Sequence, residues 1–194
     1  TALSLAAIQA MTKTMTVFGN PSSTHSHGRE ASKLLRQARE DIAQALHTQS
    51  NKILFTSGGT ESNNTAIKGY ALRHQNRGKH IVTTAIEHHA VLEVVEYLVD
   101  KFGFEATFVQ PVDGQIRAAD IKKALRPDTI LVSVMAVNNE TGAMLPIKEI
   151  GELLHEHPAV FHVDAVQAIG KLPIYPNELG IDFLSASAHK FHGP

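Results

Sequence analysis

The chain has 194 residues, 43% of them hydrophobic, and its 18 Lys and Arg against 19 Asp and Glu leave a net charge of −1. So even a balance argues against electrostatic capture by nucleic acid or anionic membranes, which takes a net basic face, and no apolar run nears the ~18 residues of a spanning helix. With no cysteine, disulfides, thiolate metal sites and a cysteine nucleophile are excluded within these residues. The start lacks a signal-peptide pattern, and a reducing, cytoplasmic setting is expected.

In chain order, residues 1–11 predict a helix and Gly19-Asn20-Pro21-Ser22-Ser23 a loop. Ala31, Leu34, Leu35, Ala38, Ile42, Ala45 and Leu46 fall at helical spacing. Residues 52–57 read as a strand stopped by Gly58-Gly59, followed by a helix with Ala66, Ile67, Tyr70 and Ala71 on one face. Residues 80–86 are β-branched and apolar, and Val91, Val95, Leu98 and Phe102 mark the next helix. A strand over 104–109 ends in the turn Pro111-Val112-Asp113-Gly114, and a short helix over 120–125 leads to a buried strand over 129–137. Pro146 suits the first turn of a helix carrying Ile147, Ile150, Leu153 and Leu154. Residues 160–163 and 182–184 complete the strands. Apolar strands alternating with amphipathic helices predict an α/β fold, a mostly parallel sheet sandwiched by helices. No repeat or linker marks a boundary, so residues 1–194 are expected to form one domain.

Ligands of such folds bind outside the carboxyl ends of the strands, and five clusters fall there. Ser57-Gly58-Gly59-Thr60-Glu61-Ser62 suits either an anion cradle at a helix N-terminus or a tight turn capped by Thr60 or Ser62. His88, in Glu87-His88-His89, is either a solvated loop residue or one that stacks on a ring and transfers protons. Asn138-Asn139-Glu140-Thr141-Gly142 is an Asn-rich turn or a set of amide donors. Asp164, where an apolar strand ends, is a helix N-cap or the partner of a specific cation, with Gln167 three residues on. Lys190, after Ser185-Ala186-Ser187-Ala188-His189, is an exposed lysine or a Schiff-base amine. Together they match the needs of pyridoxal 5'-phosphate: donors for a phosphate, an acid for the ring nitrogen and a lysine for the aldehyde. A histidine-based metal site is not expected, because no pair shows the i, i+4 spacing of a helical site.

Thr56-Ser57-Gly58-Gly59-Thr60-Glu61-Ser62-Asn63-Asn64, Glu87-His88-His89-Ala90-Val91, Val137-Asn138-Asn139-Glu140-Thr141-Gly142, His162-Val163-Asp164-Ala165-Val166-Gln167 and Ser187-Ala188-His189-Lys190 resemble the cysteine desulfurases, fold-type I pyridoxal phosphate enzymes of the class-V aminotransferase group. The loop Gly19-Asn20-Pro21-Ser22-Ser23-Thr24-His25 is similar too, so the resemblance runs nearly end to end. It implies that Lys190 holds the cofactor as a Schiff base, Asp164 pairs with the ring nitrogen, and His88 stacks on the ring and assists proton transfer. Asn139 and Gln167 would bond the ring hydroxyl, while Gly59, Thr60, Ser187 and His189 would hold the phosphate.

The implied reaction takes sulfur from L-cysteine, giving alanine and an enzyme persulfide for iron–sulfur cluster or thio-cofactor assembly. The implied assembly is a homodimer that delivers sulfur to an acceptor protein of scaffold or tRNA-thiolation type. Residues 1–194 match part of the large domain of such enzymes. Their N-terminal strand segment, small domain and catalytic-cysteine loop have no counterpart here, so these residues alone are expected to be inactive. Selenocysteine lyase, aminotransferase and a non-catalytic scaffold are the alternative readings.

Overall fold

Two helices dominate the first of the two units into which the chain divides in a computed structural model describing residues 1–194. This unit comprises Thr1–Phe55 and Ala188–Pro194. Helix α1 (Leu5–Thr14) starts at Ser4, whose Oγ accepts the Ala7 N–H at 3.1 Å. Helix α2 (Ser26–Ala45) starts at His25, whose Nδ1 accepts the Gly28 N–H at 3.2 Å. The two ends of the chain are tied together: the Ser4 N–H donates to the His192 carbonyl at 2.9 Å, and His192 Nδ1 donates to the Ala2 carbonyl at 2.9 Å.

The strand expected over 52–57 does not form. A strand needs a neighbour to take its backbone groups; here a 3-10 turn, Ser50–Lys52, precedes coil. The Ile53 carbonyl accepts instead from the Arg39 guanidinium, which also lies 4.7 Å from the Phe55 ring centroid. The helical spacing of α2 is real, yet Leu34, Leu35 and Ile42 stay exposed, and only Gly28 and Ala43 of that helix are buried.

The second unit, Thr56–Ser187, alternates helix and strand: α3 (Gly59–His74), β1 (His80–Thr84), α4 (His89–Phe102), β2 (Glu105–Val109), α5 (Ala118–Ala124), β3 (Thr129–Met135), α6 (Ile147–Leu154), β4 (Val160–Asp164) and β5 (Phe183–Ser185). The strands form one all-parallel sheet in the order β2-β1-β3-β4-β5. Side chains of a strand alternate between faces, and both faces are covered. Ile81 and Leu131 pack with Ile67 and Ala71 of α3 and Val91, Val95 and Leu98 of α4. Val82, Val132, Val134, Phe161 and Val163 pack with Ile121 of α5 and Ile147, Ile150 and Leu154 of α6. Gly103 closes α4 in the left-handed conformation at φ 67°, where a side chain would be strained. No helix is long and apolar enough to cross a membrane.

Two buried histidines of the sheet are paired with hydroxyls across strands. His162 Nδ1 meets Ser133 Oγ at 2.8 Å and Nε2 meets Ser185 Oγ at 3.0 Å, so one imidazole joins β3, β4 and β5. Burial pushes that imidazole down to about 3. At the other end of the sheet, buried His80 bonds the hydroxyls of Thr129 at 2.7 Å and Thr107 at 2.9 Å.

Candidate active site

The strand order places a topological switch point between β1 and β3, because the chain passes from β1 outward to β2 in one direction and from β3 outward to β4 and β5 in the other. Open parallel sheets bind ligands outside the carboxyl ends of the strands at such a point. The expected strands over 80–86 and 129–137 stop at Thr84 and Met135, since side chains take over the bonding there. Glu87 Oε1 accepts the Thr84 hydroxyl at 2.6 Å and the Met135 N–H at 2.9 Å. Asn138 Nδ2 donates to the Ile86 carbonyl at 2.9 Å, tying the two loops of the switch point together.

Asp164 ends β4 and is buried. Its Oδ2 accepts from Asn63 Nδ2 at 2.8 Å and its Oδ1 from the Val166 N–H at 3.0 Å. Each carboxylate oxygen thus keeps an acceptor position for a cationic N–H, and the buried Asn63 Oδ1 has no partner.

Helix α3 begins beside this carboxylate. Gly58 caps it without a side-chain bond, so the N–H groups of its first turn carry the positive end of the helix dipole unshielded by a cap. Glu61 reaches back instead to the Ser57 N–H at 2.5 Å, a bond that holds its carboxyl below the usual carboxylate range. A Cβ on Gly59 would stand 2.9 Å from Val166 Cγ2, so with Val166 in place a side chain at 59 crowds the seating of α3 against the loop after Asp164. Ser187 is buried within the same unit, and Thr60 is exposed at the helix start.

His88 is exposed and is the N-cap of α4: its Nδ1 accepts the Ala90 N–H at 3.0 Å. With Nδ1 accepting, the neutral ring bears its proton on Nε2. In the loop after β3, Asn138 Oδ1 accepts from the Glu140 and Thr141 N–H groups at 3.0 and 2.9 Å and from the Thr141 hydroxyl at 3.0 Å. That side chain builds the turn, whereas Asn139 is exposed and bonds only its neighbour Glu140, at 2.7 Å. Gln167 is half-buried in the turn after β4.

One set of residues is thereby assembled within the second unit: Gly59, Asn63, Glu87, Asn138 and Asp164 are linked by contacts, with His88, Asn139, Gln167 and Ser187 on the same loops and strand ends. His189 and Lys190 lie on the 3-10 turn Ala188–Phe191, which belongs to the first unit. Three residues escaped the sequence reading of the site. Asn63 shares the spacing of buried Ile67 and Ala71, and a polar residue in that register was a usable signal. Glu87 stood beside His88 without distinction. His162 looked like one more residue of an apolar strand.

The family model described as aminotransferase class-V matches residues 1–194. The cysteine desulfurase IscS of Dictyoglomus turgidum is 54% identical over 179 residues, covering 91% of this chain and 45% of that protein. Among solved structures, one described as SspA in complex with cysteine superposes with a TM-score of 0.95 at 39% identity, covering all of this chain and 56% of the other. A NifS-like protein does so with a TM-score of 0.94 at 40% identity, covering all of this chain and 54% of the other. The chain spans about half the length of the relatives it matches.

Proposed function

The chain belongs to the aminotransferase class-V family, and from that membership we propose that the protein carrying it is a pyridoxal phosphate-dependent cysteine desulfurase, converting L-cysteine to alanine and an enzyme persulfide. The observation that carries the reading is the buried Asp164 carboxylate, aimed by Asn63 and the Val166 N–H. The donor set fits the cofactor: an oriented carboxylate with acceptor capacity left, and beside it a first helical turn without a side-chain cap. When bound, pyridoxal phosphate supplies an electron sink for carbanion chemistry at the substrate's α-carbon.

Each of the chain's residues then has a task. Asp164 keeps the ring nitrogen protonated. The first-turn N–H groups of α3, with Thr60 and Ser187, hold the phosphate, and Asn139 and Gln167 bond the ring hydroxyl; His189 is assigned to the phosphate from the motif Ser187-Ala188-His189-Lys190 alone. His88 stacks on the ring and exchanges protons at Nε2; accepting a proton there means moving the ring's own proton to Nδ1 and giving up the Ala90 bond. Lys190 carries the aldehyde, an assignment that rests on the motif Ser187-Ala188-His189-Lys190. These 194 residues contain no cysteine, so the sulfur-accepting thiolate comes from elsewhere in the protein. The same reading gives a cytoplasmic homodimer that passes sulfur to an acceptor protein, as the name IscS of its relatives suggests.

The test is a full-length protein incubated with L-cysteine and a reductant. Equal amounts of alanine and sulfide are expected, and Lys190→Ala removes both the visible cofactor absorbance and the borohydride-reducible linkage. Transamination without sulfide, or a reducible linkage surviving in Lys190→Ala, overturns the assignment.

A further inference from the structure

Glu87 carries a feature that its neighbours do not explain. Both donors that reach its carboxyl, the Thr84 hydroxyl and the Met135 N–H, go to Oε1. Oε2 is buried and has no partner. A shared negative charge would leave half of itself on an unsolvated oxygen, which is costly. A proton on Oε2 replaces that charge with a neutral hydroxyl, far less costly to bury, and leaves Oε1 as a carbonyl-like acceptor with two lone pairs, both in use. The charged group that faces Glu87 is Asp164 on β4, a second carboxylate, which also disfavours ionisation.

The bond to Met135 is placed where it matters. Met135 is in register with Asp164, and the next N–H, of Ala136, donates to the Asp164 carbonyl at 2.9 Å. On its other side β3 has outrun β1, whose pairing with it ends at Thr83 and Ser133. The Glu87 carboxyl therefore takes up an N–H at the end of β3, and the residue after it is His88.

We propose that Glu87 works as a neutral carboxylic acid, a positioning residue that ties the loop bearing His88 to the end of β3 beside Asp164. Its bearing on catalysis rests on the role of His88 given above; the tie and its protonation state do not. Burial, with Asp164 adding to it, pushes the carboxyl from 4.5 up to about 8, in the direction the geometry requires.

The experiment uses the full-length protein, wild type, Glu87→Gln and Glu87→Ala. Glutamine keeps an Oε1 acceptor and puts an amide where the protonated oxygen stands. Amide exchange at Met135 is expected to stay near wild type in Glu87→Gln and to accelerate at least about tenfold in Glu87→Ala, the loss of one hydrogen bond. Between about pH 4.5 and 8 the folded wild type holds a proton that the unfolded chain lacks. Its unfolding constant therefore rises up to about tenfold per pH unit across that window, and Glu87→Gln flattens this slope. Alanine formation falls in Glu87→Ala and is restored by glutamine but not by Glu87→Asp, whose shorter arm does not reach.

Equal pH slopes in wild type and Glu87→Gln, or Met135 exchange as fast in Gln as in Ala, overturn the proposal. If Glu87→Ala does not fold, the slope comparison between wild type and Glu87→Gln decides alone. A protein that forms no alanine at all refutes the desulfurase reading and leaves the exchange and slope tests of Glu87 intact.

Discussion

Asn63 and Asp164, 101 residues apart in the chain, are joined by a 2.8 Å hydrogen bond inside the protein, from the first turns of α3 to the last residue of β4. The carboxylate is thus aimed by a side chain from the same helix whose N-terminus is the proposed phosphate cradle. Asn63→Leu removes the donor and leaves a buried oxygen short of a bond, a cost of about 1–3 kcal/mol. Urea unfolding reads the stability loss. A pyridoxal phosphate titration of the full-length protein is expected to show weaker binding, and Asn63→Asp, which sets a second carboxylate against Asp164, weakens it further.

Gly59 and Val166 form a second joint between the same two elements. Gly59→Ala brings its Cβ to 2.9 Å from Val166 Cγ2, an overpacking worth about 1–3 kcal/mol. Val166→Ala opens the space, so the double variant recovers most of the loss. The measurement is a double-mutant cycle by denaturant unfolding, in which simple additivity would contradict the contact.

The two adjacent asparagines are expected to separate cleanly. Asn138 satisfies four groups of two loops, and Asn138→Ala destabilises the fold by about 2 kcal/mol or more. Asn139→Ala, at an exposed side chain, leaves stability within about 0.5 kcal/mol and weakens cofactor binding. Thermal unfolding and cofactor titration of both variants check the pair.

For His88, Asn and Ala substitutions part company. Asparagine preserves an N-cap acceptor for α4, whereas alanine removes it at a cost of about 1 kcal/mol. Both lose the ring. Stability is expected to fall only in His88→Ala, and turnover in both.

His162 supplies a pH dependence of the opposite sign to that of Glu87. Its imidazole is neutral in the fold and titrates at about 3, against 6.5 when unfolded. As pH falls from about 6.5 toward 3 the unfolded chain takes up a proton that the folded one refuses, and stability drops by up to roughly 1.4 kcal/mol per pH unit. His162→Gln is expected to be less stable at neutral pH and to lose stability less steeply in acid, as read from urea midpoints between pH 4 and 7.

Much of the second unit was legible because its signals are local. Val91, Val95 and Leu98 at helical spacing are all fully buried, and the apolar run of β3 is buried at every position. Residues 52–57 misled because β-like composition does not supply a neighbouring strand. In α2 the apolar stripe predicted a helix, and it says nothing about what covers Leu34 or Leu35. Among the candidate site residues, those at element ends and turns stood out by type: Gly59, His88, Asn139 and Asp164. Asn63 and Glu87 did not, since their parts depend on partners 101 and 48 residues away, and no window of sequence contains such a pair.

The imidazole shared by β3, β4 and β5 also bears on how the sheet finds its pairing. Strand β5 has only three residues, few with which to choose its place. Shifting a strand by one residue turns every side chain to the opposite face. A slipped β4 would carry His162 into the apolar layer of Ile147, Ile150 and Phe161's neighbours, with neither serine in reach. Misalignment thus strands a polar ring in hydrocarbon, and the Ser133–His162–Ser185 row acts as a proofreader of strand assembly.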